Sequence, residues 1–237
     1  MLSRNRSLWA VAVSAALLTG LAVSLLWGGP ADGTSYSVEQ RLAQFGAAAR
    51  QRLQPHFEQA GVAWPGRRVA LLAFKDSKQL ELHAQGADGN WRFIRRYPIL
   101  AASGDTGPKL REGDFQVPEG FYSVTFLNAN SRFHVSLRLN YPNDFDKRMA
   151  VRDGRRQLGG DIMIHGSRVS VGCLAMGDPV AEELFTLTQA LGMHRLEVLI
   201  APTDFRHAAL PDRTEPAWLL PLYRDLQDAM QRFPVAE

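Results

Sequence analysis

The sequence predicts a mainly β domain with flanking helices, an α+β fold, from three observations. Apolar residues make up 46% and charged residues 22% of the 237 residues, which supplies a large core and excludes a disordered chain. Between residues 67 and 203, turn residues separate short apolar runs and runs that alternate between apolar and polar, as in strands. Before and after this segment, apolar residues recur every three or four positions, as in amphipathic helices.

The first predicted helix follows residues 28–34, whose glycines and proline indicate a linker. Ser37 with Gln40 three residues later resembles a capping box, which marks the start of this helix. Pro55 has no amide N–H, so we expect it to kink or split the helix. The apolar face consists of Val38, Leu42, Phe45, Ala49, Leu53, Phe57 and Ala60.

The central segment contains most of the predicted strands. Residues 69–74 and 80–84 predict a β-hairpin, because a compact apolar run and an alternating run flank turn residues 75–78. Further strands are predicted at residues 91–100, 121–127 and 132–139, with residues 128–131 as the turn between the last two. A short apolar strand at residues 162–164 leads into His165, and residues 195–200 predict a late strand.

Two further helices are predicted towards the end of the chain. We expect Asp178 as the N-cap and Pro179 as the first residue of one helix, which ends at Gly192. The apolar face of the other consists of Trp218, Leu222, Leu226, Met230 and Phe233. The predicted organisation is a linker and amphipathic helix at residues 29–66, the central domain at residues 67–203, and a C-terminal helical extension at residues 204–237.

The first 28 residues predict a signal peptide or a membrane anchor. Arg4 and Arg6 precede residues 8–27, which contain no charged residue, as in the basic and apolar regions of a secretory signal. A helix of that length also spans a hydrocarbon core of about 30 Å, so a cleaved signal and an uncleaved anchor both remain open. In either case we expect the rest of the chain in the periplasm, with a membrane contact only if residues 8–27 are retained.

Charge and cysteine content restrict the possible partners. The formal net charge is +3, of which Arg4 and Arg6 carry +2, and the remaining +1 is too small for a nucleic-acid-binding surface. The chain has one cysteine, Cys173, so it forms no internal disulfide and any role of this residue is that of a free thiol.

Residues 162–176 contain this cysteine and, eight residues before it, His165. A thiol is mostly protonated at neutral pH, so nucleophilic catalysis needs a base, and we expect the His165 imidazole to favour the Cys173 thiolate. Gly166 and Gly172 leave the backbone uncrowded beside both groups. The amides of Gly172 and Cys173 are expected to donate to an oxyanion. Ser170 is expected to bond the thiol, the imidazole or a substrate.

The spacing of residues along the chain argues against several other kinds of site. No C-x-x-C or H-x-x-x-H spacing occurs, so we expect neither a metal nor a cofactor. Residues 104–114 contain glycine and lysine but lack the spacing of a phosphate-binding loop, and there is no G-x-S-x-G elbow. Spacing alone leaves open a purely structural role, because a single cysteine is often a small buried apolar residue.

The segment HGSRVSVGC, residues 165–173, resembles the active-site signature of the L,D-transpeptidase (YkuD-type) catalytic domain. Its spacing, HGxxxSxGC, resembles the compact variant in which the histidine and cysteine lie close together in the sequence. The resemblance extends over about residues 38–203. The other similar segments are residues 74–75, 80–82, 103–109, 112–114, 118–122, 130–131, 133–134 and 141–143, with Asp146.

The resemblance implies a β-sandwich-like fold and a Cys–His site that acts on peptidoglycan stem peptides. It implies that Cys173 is the nucleophile and His165 the base, while Ser170, Gly172 and Gly166 shape the thiol loop and the oxyanion site. Cys173 would attack the carbonyl of the third, diamino-acid residue of a tetrapeptide, and the terminal D-alanine would leave. The resulting thioester would pass to an amine acceptor, or water would hydrolyse it. The same resemblance assigns a cleft-lining role to His134, Lys109, Tyr141, Asn143 and Asp146.

Two departures from the family pattern leave alternatives open. Many members have a histidine where this chain has Val171, and an arginine where it has Ala175. In lacking these residues, the compact variant resembles family members that cleave the amide between an outer-membrane lipoprotein and peptidoglycan. Hydrolysis that releases lipoprotein is therefore an alternative to transfer. A non-catalytic wall-binding module is a second alternative.

Overall fold

The computed structural model describes residues 35–212 and 215–235. The predicted signal or anchor, residues 1–28, lies outside these residues. No helix within the described ranges combines the length and the apolar character needed to cross a bilayer.

The described chain has an α+β fold, as predicted. The helices are α1 (Val38–Gln59), α2 (Asp144–Arg152), α3 (Asp178–Leu191) and α4 (Leu219–Met230), with a 3-10 turn at Met193–Arg195. The strands are β1 (Val69–Phe74), β2 (Gln79–Gln85), β3 (Trp91–Pro98), β4 (Gly120–Ser131), β5 (His134–Leu139), β6 (Met163–His165), β7 (Leu174–Ala175) and β8 (Leu196–Ala201).

The strands form a curled sheet in the order β3-β2-β1-β8-β4-β5-β6-β7. The pairs β1–β8 and β6–β7 are parallel, and the other neighbouring strands are antiparallel. Beyond β3 the chain turns back towards the opposite end of the sheet. There Leu100 N donates to the Ala175 carbonyl, and Ala175 N donates to the Ala101 carbonyl, each at 2.9 Å. Strand β7, directly after Cys173, is therefore hydrogen-bonded on both sides.

Strand β1 shows why the central segment has a continuous apolar run. Its odd-numbered residues, such as Leu71, join the inner cluster that α1 and α3 cover. Its even-numbered residues, such as Leu72, join the outer cluster with Leu222 and Leu226 of α4. All six β1 residues are buried, because helices cover both faces of the sheet at this strand.

Most predicted elements agree with the structure, and the differences have local causes. The capping box of Ser37 and Gln40 is confirmed, but α1 continues through Pro55, so the predicted split is wrong. Tertiary packing of Leu53 and Phe57 on either side of the proline holds that turn in the core. The predicted N-cap Asp178 is the first residue inside α3. Gly177 occupies the cap position instead, with a φ of 78° that suits glycine.

Candidate active site

The predicted catalytic residues share the outer face of the curled sheet. Ile164 of β6 pairs with Leu174 of β7, and both point into the inner core. Because side chains alternate along a strand, Met163, His165 and Cys173 point to the opposite face. The structure thus brings Cys173 and His165 onto one face of adjacent chain segments, as their spacing in the sequence predicts.

Cys173 is buried, and its sulfur contacts backbone groups. The Met163 N–H donates to Sγ at 3.4 Å, and the thiol lies 3.6 Å from the carbonyl oxygen of Asp161. Burial raises the pKa of the thiol to about 11, and the Asp161 carboxylate acts in the same direction. The Met163 N–H and the Lys109 ammonium oppose this rise. The thiol is therefore neutral at pH 7 in the resting protein.

His165 is also held in a neutral form. Its Nδ1 lies 2.6 Å from the Gly166 carbonyl oxygen, and since a carbonyl only accepts, Nδ1 carries the proton. Nε2 is buried and has no hydrogen-bond partner among the described residues. Burial lowers the pKa of the imidazole, and Phe133 stacks on the ring with a centroid separation of 4.6 Å. The unprotonated Nε2 is therefore available to accept a proton.

The structure corrects the expectation that the imidazole ionises the thiol at rest. Among the described residues, no hydrogen bond links the His165 ring to Cys173 Sγ. Burial disfavours the charged form of both groups, which raises the pKa of Cys173 and lowers the pKa of His165. Burial therefore favours the neutral form of both groups in the unliganded protein.

The expected oxyanion donors are already engaged by serine hydroxyls. Gly172 N donates to Ser103 Oγ at 2.5 Å, and Cys173 N donates to Ser170 Oγ at 3.1 Å. Ser170 Oγ in turn donates to the Cys173 carbonyl, which fixes the tight turn around the thiol. The sequence analysis did not assign a role to Ser103. Rotation of the Ser103 side chain about its Cα–Cβ bond would move Oγ and free the Gly172 amide for a substrate oxygen.

The segment that carries Ser103 is anchored by a buried ion pair. Lys75 Nζ lies 3.1 Å from Glu119 Oε1 and donates to the carbonyls of Gly107 and Val117. Glu119 accepts hydrogen bonds from the Gly107 amide at 2.7 Å and from the Tyr223 hydroxyl at 2.6 Å. This network ties the loop between β3 and β4 to β1 and to α4.

Gly166 occupies a position with no room for a side chain. A methyl group there would lie 2.7 Å from the Phe133 carbonyl oxygen and would also meet the Asp178 carboxylate. That carboxylate holds the loop by accepting from Ser167 N at 2.7 Å. We therefore expect Gly166→Ala to lower the Tm by roughly 5 °C, since overpacking costs about 1–3 kcal/mol.

Thermal denaturation of the full chain would measure this change. Gly160→Ala is the matched control, because nothing lies within 4 Å of a methyl group at that glycine. Equal melting temperatures for the two variants would show that the packing at Gly166 tolerates a side chain.

The residues predicted to line the cleft make structural contacts in this structure. Asn143 and Asp146 form the capping box of α2, which the sequence analysis did not predict. The Tyr141 hydroxyl donates to the Leu158 carbonyl at 3.2 Å. Lys109 lies 2.6 Å from the Asp114 carboxylate, and His134 lies 3.0 Å from the Glu182 carboxylate. None of these contacts involves Cys173 or His165, so their role in a cleft stays a prediction.

The described residues contain no group of three or more His, Cys, Asp or Glu side chains arranged to hold a metal ion.

A family profile described as the L,D-transpeptidase catalytic domain (YkuD) matches residues 72–200. That segment is more than half of the chain and contains His165 and Cys173. The chain belongs to the L,D-transpeptidase (YkuD) family. The resemblance of residues 165–173 to the signature of this family is thereby confirmed.

Two relatives of this L,D-transpeptidase family member come from Escherichia coli strains K12 and O157:H7. Both carry the name "Putative L,D-transpeptidase YafK", and each is 35% identical to this chain over 144 residues. The matched region covers 60% of this chain and 56% of each relative. The chain therefore spans just over half the length of the curated relatives it matches.

Solved structures also resemble this L,D-transpeptidase family member, at lower sequence identity. The helical cell shape determining protein Pgp2 from Campylobacter jejuni has a TM-score of 0.47 at 23% identity, over 70% of this chain and 57% of that chain. Bd1075 from Bdellovibrio bacteriovorus has a TM-score of 0.42 at 19% identity, over 71% of this chain and 57% of that chain. Family membership follows from the profile match alone.

The two departures from the L,D-transpeptidase family pattern occupy different surroundings. The side chain of Val171 is 60% exposed, so this position points away from the buried thiol. Ala175 is fully buried between His165 of β6 and Ala101. Position 171 is therefore exposed, whereas position 175 is enclosed by neighbouring backbone segments.

Proposed function

We propose that the protein is a cysteine acyltransferase of the L,D-transpeptidase type that acts on peptidoglycan stem peptides. The observation that supports this most strongly is the presence of a buried thiol and of an imidazole with an unpartnered Nε2 on one face of adjacent chain segments. Both groups lie in the segment that matches the family profile.

The proposed first step is acylation of Cys173 by a tetrapeptide stem. The sulfur attacks the carbonyl carbon of the third, diamino-acid residue, and the thiol proton passes to His165 Nε2. The Gly166 carbonyl, which accepts from Nδ1–H, stabilises the imidazolium that forms. The C–N bond to the terminal D-alanine then breaks, and Nε2 returns the proton to the leaving amine. The product is a thioester on Cys173.

The second step determines whether the protein is a transferase or a hydrolase. An amine that attacks the thioester forms a new amide, and water in its place forms a carboxylic acid. In both cases His165 Nε2 takes a proton from the attacking group and the thiol is regenerated. Release of an outer-membrane lipoprotein from peptidoglycan would use the same residues, with the lipoprotein amine as the leaving group. These reactions take place in the periplasm in this proposal, in line with the export signal predicted at residues 1–28.

Defined substrates test the proposal directly. The purified full chain would be incubated with a disaccharide-tetrapeptide, with and without an amine acceptor, and with a lipoprotein-linked muropeptide, and the products read by mass spectrometry. We expect free D-alanine together with a new amide when the acceptor is present. Tripeptide and free D-alanine without a new amide would indicate hydrolysis, and a released lipoprotein-derived peptide would indicate the amidase reaction. Absence of all products and of any acylated protein would favour a wall-binding module and contradict the proposal.

A further inference from the structure

We propose that Arg138 forms the subsite for the C-terminal carboxylate of the acyl-donor peptide. This inference rests on the proposed acyl transfer. Arg138 belongs to β5 and pairs directly with Met163 of β6, whose amide donates to Cys173 Sγ. Paired residues of antiparallel strands point to the same face, so Arg138 lies on the face that carries the thiol.

Asp161 connects the guanidinium of Arg138 to the sulfur of Cys173 through two contacts. Arg138 Nη2 lies 2.8 Å from Asp161 Oδ1, and the backbone carbonyl oxygen of the same aspartate lies 3.6 Å from Cys173 Sγ. One residue therefore contacts both groups. Adjacent strands are about 4.8 Å apart, and β6 lies between Arg138 and Cys173, so their backbones are about 10 Å apart. An arginine side chain is long enough to cover much of this distance.

The guanidinium is accessible and has donors to spare. The Arg138 and Asp161 side chains are 47% and 46% exposed, so a ligand can reach the ion pair. Among the described residues, Asp161 is the one acidic partner of Arg138, and this ion pair involves Nη2 of a guanidinium that carries five N–H donors. Phe126 of β4 pairs with Arg138 and is 52% exposed. It therefore adds an apolar surface next to Arg138 on the same face of the sheet.

The C-terminal carboxylate of the donor lies close enough to the scissile carbonyl for Arg138 to reach it while Cys173 attacks. The leaving D-alanine is the last residue of the donor, so its carboxylate lies only one residue, or about 4–5 Å, beyond the scissile carbonyl carbon. An arginine that forms a planar pair of hydrogen bonds with a carboxylate would distinguish it from a neutral amide. Arg138 would then select donors that end in a free carboxylate.

The test compares two donors that differ only in this group. One is the disaccharide-tetrapeptide with a free C-terminal carboxylate, and the other is its C-terminal carboxamide. We expect the full-chain protein to prefer the carboxylate by roughly 10–100-fold in kcat/KM, since hydrogen bonds to charged groups have this magnitude. Arg138→Gln should reduce the preference to near one while it retains turnover of the carboxamide. Arg138→Lys should retain part of the preference through its charge.

Arg67→Gln is the matched control. Arg67 lies just before β1, is exposed, and donates a hydrogen bond to the Ala87 carbonyl. This substitution removes the same charge and should keep the full preference. A preference that survives Arg138→Gln, or no preference in the unaltered protein, would overturn the assignment of Arg138 while acyl transfer stands. No turnover of either donor by the unaltered protein would instead overturn the proposed function, and the subsite with it.

Discussion

Replacement of Cys173 by alanine or serine should abolish acyl transfer, with at least a 10³-fold loss of turnover, because no other thiol exists in the chain. The alanine variant has no nucleophile. The serine variant retains a hydroxyl, but an alcohol is a much weaker acid than a thiol and the neutral imidazole of His165 lacks the aspartate that orients the base in serine hydrolases. The thioester intermediate would disappear in both variants.

Mass spectrometry of the protein after incubation with the disaccharide-tetrapeptide measures this directly. The unaltered chain should gain the mass of the acyl group, and neither variant should. Both substitutions conserve the small volume of a buried residue, so the Tm should change little. Release of D-alanine by the purified Cys173→Ala protein would rule out the thiol as the nucleophile.

Replacement of His165 by glutamine should lower the acylation rate at pH 7 by about 10²–10⁴-fold, the usual contribution of a general base. The pH dependence should also change shape. Burial lowers the pKa of His165 from 6.5, so the neutral base persists below that pH, and the pKa of the thiol is about 11. The unaltered protein should therefore show a broad plateau between these limits, with activity lost as the pH falls and the imidazole becomes protonated.

Without the imidazole, only the small thiolate fraction reacts. The rate of the His165→Gln protein should then rise about tenfold per pH unit towards the pKa of the thiol. His194→Gln is the matched control, since His194 is exposed on the 3-10 turn, and it should keep the plateau. An unchanged plateau in His165→Gln would show that another group takes the proton.

The secondary structure was predictable where a residue pattern is local. The apolar run of β1 and the capping box at Ser37 depend on neighbouring residues alone. The two-residue strand β7 was not predictable, because it exists through pairing with Ala101 and with β6. Helix α2 was missed because its turn signals, Asn143 and Asp146, precede a mostly polar segment with one buried residue.

The candidate site likewise contains features that a local sequence pattern predicts and features that depend on the fold. Cys173 and His165 lie eight residues apart in one segment, so the sequence predicts their proximity. Ser103 and Phe133 reach them only through the order of the strands and the course of the loop after β3. The neutral state of the thiol depends on burial in the folded protein, which no local motif encodes. Ser103 had one signal, its place in a segment similar to the family.

The hydrogen bond between Tyr223 and Glu119 has a practical consequence for handling this protein. Tyr223 lies on α4, and Glu119 joins Lys75 in fixing the loop that reaches the thiol. A chain shortened at residue 203 for crystallisation would therefore lose the Tyr223 contact to that network and uncover the apolar outer surface of β1.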